Sequence, residues 1–324
     1  MSPSGPIDTA PDVDAAYVSR LVGERLAAKG IVAEPVSLER HSVGGGVRDS
    51  KVVFVSKGAP GLVVVVSPRQ FPGVVAEECH KAAEMRSHLG DLGGPILEPV
   101  DTGRIDSSTY AVLPYRRPLS RRRILGRLDL LRMQRHVCDW LLRVAQRHNA
   151  LTDVARYRSS FSALARVIAP DSPAAACLRS AERHLRSGRF VARSTPMHGD
   201  IWKANVLRGG SASAPFTLID WGGSATDGFP IYDLMRAAQT FRLSPKALQT
   251  QLQLHQAALG CQPEDLSSYL LGALGYYAGR LGEMPPDVFR AMADECVTHL
   301  SSALAALTSP GPAHLASDIP GRPA

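Results

Sequence analysis

Residues 36 to 67 constrain the fold more than any other stretch. VSLER is followed by SVGGGVRDS, then KVVFVSK, then GLVVVVS. Valine-rich runs punctuated by Gly and Pro are the signature of short antiparallel strands. Directly after them, Val75, Cys79, Ala82, Met85 and Leu89 recur at helical spacing across 74 to 89. Pro95 to Val100 and Thr109 to Leu113 then read as two further strands. Three strands, a helix and two strands make a small β lobe. It is preceded by a helix over 13 to 29, which carries Val18, Leu21, Val22 and Leu26 and is stopped by Gly30.

From about residue 119 the periodicity becomes helical. Leu128, Leu131, Val137, Leu141, Leu142 and Val144 give one long amphipathic helix over 126 to 149. A helical pattern over 158 to 187 is broken at Pro170 and Pro173, and helices resume from 231 to 308. Between them, near 196 to 230, lies an island of short strands and turns. The chain therefore reads as α+β with two lobes: a small β lobe over 13–115 and a mainly helical lobe over 116–308. Residues 1–12 and 309–324 have the composition of disordered ends. With 324 residues, two cores are expected rather than one.

Composition narrows the function classes. There is no run of 18 apolar residues and no basic start followed by an apolar core, so neither a membrane span nor a secretory signal is expected. Five scattered cysteines without a CxxC pair read as buried thiols, which points to a reducing, cytoplasmic setting. The net charge of +7 favours polyanions, yet only 6% of residues are aromatic and no basic-aromatic interleaving appears. A phosphate-bearing ligand accounts for part of that surplus equally well.

The island reads PMHGDIWKANVLRGG, then FTLIDWGGSATDGFPIYDL. Glycine beside Asp200 suits a tight turn that presents a carboxylate, and such a group can orient a hydroxyl and accept its proton. Asn205 follows five residues later, ahead of Val206 and Leu207. Asp220 ends the next apolar run, Phe216 to Ile219. An amide oxygen and a carboxylate, completed by phosphate oxygens, are a usual way to hold Mg2+. Each element alone is a common turn former. The order and spacing of all three carry the signal.

This pattern, HGD-x4-N followed by IDW and then YDL, resembles the aminoglycoside phosphotransferase and choline kinase superfamily, the small-molecule relatives of protein kinases. The resemblance is sharp over 198 to 235 and diffuse over 36 to 150. It implies a protein-kinase-like fold that moves the γ-phosphate of ATP, or GTP, to a hydroxyl of a small acceptor such as a sugar, an amino alcohol or an aminoglycoside. It further implies Asp200 as catalytic base, Asn205 and Asp220 as Mg2+ ligands, and His198 and Asp233 as supports of the catalytic loop. In the small lobe it points to Gly44, Gly45 and Gly46 as a phosphate cradle and to Leu113 and Tyr115 at the adenine hinge.

One departure stands out. Val65 occupies the strand-three position where the family carries a phosphate-binding lysine. Lys51 is the preferred replacement, with Lys57 and Arg69 as rivals, and Glu84 is its expected helix partner, with Glu77 and Glu78 as rivals. A nucleotide-binding pseudokinase is the alternative that Val65 favours. The basic run Arg116, Arg117, Arg121, Arg122, Arg123 and Arg127 reads as a solvated helix start. Asp227, Glu264, Asp265, Glu283 and Asp287 are acids that a cationic acceptor would need clustered. If Asp200 is the base, Asp200→Asn should lower turnover by about 10²–10⁴-fold with little change in nucleotide affinity. Unchanged turnover in purified protein would remove it from that role.

Overall fold

A computed structural model describes residues 15–32, 38–42, 52–56, 61–120, 123–211, 214–282 and 284–308. The Gly44–Gly46 turn, Lys51, Lys57 and both chain ends lie outside the described residues.

The small lobe is one antiparallel sheet of five strands: β1 (Leu38–Ser42), β2 (Val52–Ser56), β3 (Leu62–Val66), β4 (Asp101–Ile105) and β5 (Ser108–Pro114). Their order across the sheet is β1-β2-β3-β5-β4. Register pairs Val53 with Val65, and Val65 with Ala111. Because side chains alternate along a strand, β3 divides its valines between two faces. Leu62, Val64 and Val66 turn outward with Ile105, Tyr110 and Val112, and α1 (Ala15–Ala28) covers them with Val18, Val22 and Leu26. Asp101 anchors that helix through Arg25 at 3.0 Å and through Lys29. Val65, Ala111 and Leu113 turn the other way, into the cleft beneath α2 (Val74–Leu89).

The fourth strand corrects the sequence reading. Residues 95 to 100 form no strand, and Ile96 makes only an isolated bridge to Leu218. Pro95 and Pro99 lack the N–H a ladder needs. The strand is instead the polar Asp101–Ile105, which hydrophobic patterning passes over because it lies at the sheet edge.

The larger lobe is helical: α3 (Arg123–Arg147), α4 (Val154–Ala165), α5 (Pro173–Arg186), α6 (Tyr232–Phe241), α7 (Pro245–Leu259), α8 (Pro263–Ala278) and α9 (Pro286–Thr308). Ser172 and Ser244 cap α5 and α7, each followed by a proline in the first turn. Trp140 of α3 is core, its indole N–H donating to the Leu92 carbonyl at 2.8 Å. Leu128 and Leu131 depart from expectation, being 58% and 56% exposed, while Met133 and Val137 supply the inward face. Inside this lobe sit two small ladders: β6 (Ala150–Leu151) with β7 (Arg193–Ser194), and β8 (Val206–Arg208) with β9 (Phe216–Leu218).

Helices α4 and α8 approach closely because α8 carries Gly275 at the crossing. A Cβ there would lie 2.0 Å from the Ser160 carbonyl oxygen. Alanine would gain about 1 kcal/mol of helix propensity, but overpacking against backbone costs about 1–3 kcal/mol. A contact this short puts the clash ahead. Gly275→Ala should therefore lower the denaturant midpoint, and an unchanged midpoint would show that the helix pair can slide apart freely.

Candidate active site

The β8–β9 hairpin builds the site. Val206 pairs with Leu218, so the residues just outside the ladder, Asn205 and Ile219, meet at one end of it. The Ile219 N–H donates to the Asn205 carbonyl at 3.1 Å. Asp220 follows directly, in the left-handed region at φ 69°. A non-glycine residue in that conformation is uncommon and strained, and here it redirects the chain at the strand end. Asn205 is buried, and its Nδ2 donates to Asp200 Oδ2 at 2.8 Å and to the Asp200 carbonyl at 3.1 Å. The amide thus fixes one carboxylate oxygen of Asp200 and presents its own oxygen elsewhere.

His198 fastens the two segments together. Its Nδ1 accepts the Asp200 N–H at 3.1 Å, and its Nε2 faces the Ile219 carbonyl at 3.1 Å. An amide N–H can only donate and a carbonyl can only accept. The ring is therefore the neutral tautomer with its proton on Nε2. Burial pulls its pKa down to about 4, against a smaller opposing effect of Asp220. The Trp221 ring packs on it at 4.4 Å.

Beneath the loop lies Asp233, in the first turn of α6. Its two carboxylate oxygens accept the N–H groups of His198 at 2.6 Å and Gly199 at 2.9 Å. Ile231 enters that helix at φ 72°, a second strained residue beside the site. Gly199 has φ +90°, and a Cβ on it would sit 1.8 Å from the Tyr277 hydroxyl oxygen. Only glycine fits, both by conformation and by space. Tyr277 in turn donates to the Gly223 carbonyl at 3.2 Å.

Above Asp220 a cleft of about 450 Å³ separates the lobes. It is lined by Val65, Glu78, Ala111, Leu113, Asp220 and Trp221 among others. Val65 thus faces the cleft, as the missing lysine would, and no basic residue joins that lining among the described residues. Arg69 is exposed and does not line it. Glu84 is a correction: it lies exposed on the far side of α2, and Glu78 is the acid that α2 turns to the cleft. Six residues on a helix amount to 240° of rotation beyond whole turns, so the two cannot share a face. Leu113 lines the cleft. Tyr115 does not, and its N–H is already donated to the Gly61 carbonyl at 2.8 Å. Sequence reasoning missed Tyr277 as a neighbour of Gly199. It also missed Lys81, which reaches from α2 to donate to the Gly222 carbonyl at 2.5 Å.

The family model for the phosphotransferase enzyme family matches residues 40–269. The chain belongs to that family. Its members are enzymes, and this chain is a phosphotransferase by that membership. None of the curated protein sequences compared matches it. Solved structures that it resembles include a putative aminoglycoside phosphotransferase from Ralstonia eutropha JMP134, at 11% identity and TM-score 0.54, covering 89% of this chain and 98% of that one. A thermostable mutant of aminoglycoside phosphotransferase APH(4)-Ia, in ternary complex with AMP-PNP and hygromycin B, matches at 18% identity and TM-score 0.53, covering 87% and 98%. The GDP complex of an aminoglycoside 2'-phosphotransferase-IIIa mutant matches at 15% and 0.50, covering 89% and 96%. At these identities the likeness establishes the protein-kinase-like fold.

Burial pushes the Asp233 carboxyl up to about 6, with the two loop N–H groups opposing. As pH falls from about 6.5 to 4, the unfolded chain protonates its histidine before buried His198 does, and stability is lost. As pH falls from about 6 to 3.8, the folded chain protonates Asp233 first, and stability is gained. The two trends oppose each other. Asp233→Asn removes the second and sets an NH2 against a loop N–H. Its Tm should be lower at pH 7 and should fall more steeply than wild type between pH 6 and 4. Parallel Tm–pH curves would contradict this account.

Proposed function

We propose that this chain transfers the γ-phosphate of ATP or GTP to a hydroxyl of a small molecule in a Mg2+-dependent reaction. The observation that carries the reading is the linked trio. Asn205 holds Asp200 by its side chain and Ile219 by its backbone, which sets Asp220 beside them. Nucleotides in two similar structures, AMP-PNP in one and GDP in the other, support a nucleoside triphosphate as donor.

The donor set fits magnesium. Asn205 and Asp220 offer two oxygen ligands, and among the described residues no cluster of three or more His, Cys, Asp or Glu competes as a metal site. Asn205 and Asp220 would hold the ion together with phosphate oxygens and water. Bound there, the ion would neutralise charge on the phosphate oxygens.

The chain's own residues do the rest. Asp200, restrained by Asn205, orients the acceptor hydroxyl and takes its proton. The hydroxyl oxygen attacks the γ-phosphorus as the bond to the β-phosphate oxygen breaks, and the nucleoside diphosphate leaves. Such transfer needs alignment and charge stabilisation more than covalent help. Asp233 and His198 keep the loop from shifting. Leu113 and Ala111 give an apolar wall for the base.

Val65 supports a second reading, a nucleotide-binding pseudokinase. Measuring nucleotide binding with and without Mg2+, and then transfer across a panel of alcohols, separates the two. The enzyme reading expects Asp220→Asn to lose Mg2+-dependent nucleotide binding and nearly all turnover. Tight nucleotide binding by wild type with no transfer to any acceptor would favour the pseudokinase.

A further inference from the structure

Among the described residues, the acids Glu264 and Asp265 lie away from Asp200, and Asp227 is already paired. Asp265 is fully buried at the start of α8, accepting the Gln262 N–H and facing His184 at 2.7 Å. Glu264 is its neighbour. Both sit at the opposite end of α8 from Tyr277, about 20 Å away at 1.5 Å rise per residue. Asp227 is ion-paired with Arg156 at 3.2 Å.

What gathers there is aromatic and cationic. Tyr277 touches the Gly199 turn and packs edge-on against Tyr276, with ring centroids 5.3 Å apart. The Arg280 guanidinium lies 3.9 Å over the Tyr276 ring. Phe229, 6.1 Å from Tyr276, carries the Arg156 guanidinium 4.4 Å over its own ring. An acceptor ammonium would seek aromatic faces of this kind, and those of Tyr276 and Phe229 already hold a guanidinium. Arg156 has Asp227 as its counterion. Arg280 is exposed, and its hydrogen bond goes to the Tyr276 carbonyl at 3.3 Å. Among the described residues it has no carboxylate partner.

We propose that the acceptor carries an anionic oxygen group, a carboxylate or a phosphate ester, beside its reacting hydroxyl, and that Arg280 binds that group. The inference rests on the phosphotransferase reading of the same site. A planar guanidinium offers paired N–H donors matched to two oxygens of either group. The guanidinium lies over Tyr276, whose ring packs on Tyr277 beside Gly199. An anionic acceptor held there would meet Asp200 with its hydroxyl.

The test is nucleotide consumption by the full chain with Mg2+, measured with glycerate and sugar acids, with glycerol 3-phosphate and sugar phosphates, with glycerol, and with choline. The proposal expects stimulation by anionic compounds and none by glycerol or choline. Response to the acids alone or to the phosphates alone identifies which anion is used. Arg280→Gln should raise KM for the stimulating compound by about 10–100-fold, the range for a lost charge-assisted hydrogen bond, with kcat changed far less. Arg280→Lys should recover part of that loss. Stimulation by choline or glycerol, no stimulation by any anionic compound, or an unchanged KM in Arg280→Gln would overturn it. Basal hydrolysis separates the two readings. If it persists and is lost in Asp200→Asn, the phosphotransferase reading stands even where this one fails.

Discussion

The site depends on one buried carboxylate. Asp233 accepts the N–H groups of His198 and Gly199, and those two bonds hold a turn that no ordinary residue could adopt. An acid in this position is costly to bury, and the two donors, with the Arg236 charge, offset part of that cost. From this contact the rest follows outward. The turn aims Asp200, the His198 ring bridges to the Ile219 carbonyl, and Ile219 carries Asp220. The scaffold beneath is α6, packed in the core of the large lobe, so the loop inherits the rigidity of the core.

Much of the site was legible because its parts lie close together in the chain. His198, Asp200, Asn205, Asp220 and Asp233 span 36 residues, and a single hairpin brings the middle three together. Spacing along a local hairpin is a distance in space. The β lobe was legible for a similar reason, since valine alternation and glycine punctuation report strands directly. The choice of Glu78 over Glu77 and Glu84 was not legible. Which acid of α2 meets the cleft depends on how the helix docks on the sheet, and helical spacing places both Glu78 and Glu84 on a helix without choosing a face. The edge strand Asp101–Ile105 escaped because its residues are polar. Leu128 and Leu131 are expected on one stripe with Val137, Leu141 and Val144, yet only the latter three are buried, together with Met133.

The same logic shows why the aromatic cluster beside Gly199 is hard to read from sequence. Tyr277 and Gly199 are 78 residues apart, and nothing in their neighbours announces that one hydroxyl will fill the space a Cβ would need. Arg156, Phe229, Tyr276 and Arg280 come from α4, the loop before α6, and the end of α8. Their meeting is a product of helix packing around Gly275. The cleft above Asp220 shows the opposite case. Val65 is visible in the sequence as a departure, and the structure gives that departure its consequence: a cleft whose described lining contains two acids, Glu78 and Asp220, and no base.

The most direct measurement is a crystal structure of the protein soaked with Mn2+ and AMP-PNP, read by anomalous scattering. Three side chains sharing one metal-nucleotide site predicts a manganese peak about 2.1 Å from the Asn205 amide oxygen and from an Asp220 carboxylate oxygen. It also predicts the γ-phosphate lying between that peak and Asp200. A metal bound elsewhere, or a nucleotide whose γ-phosphate points away from Asp200, would contradict the account.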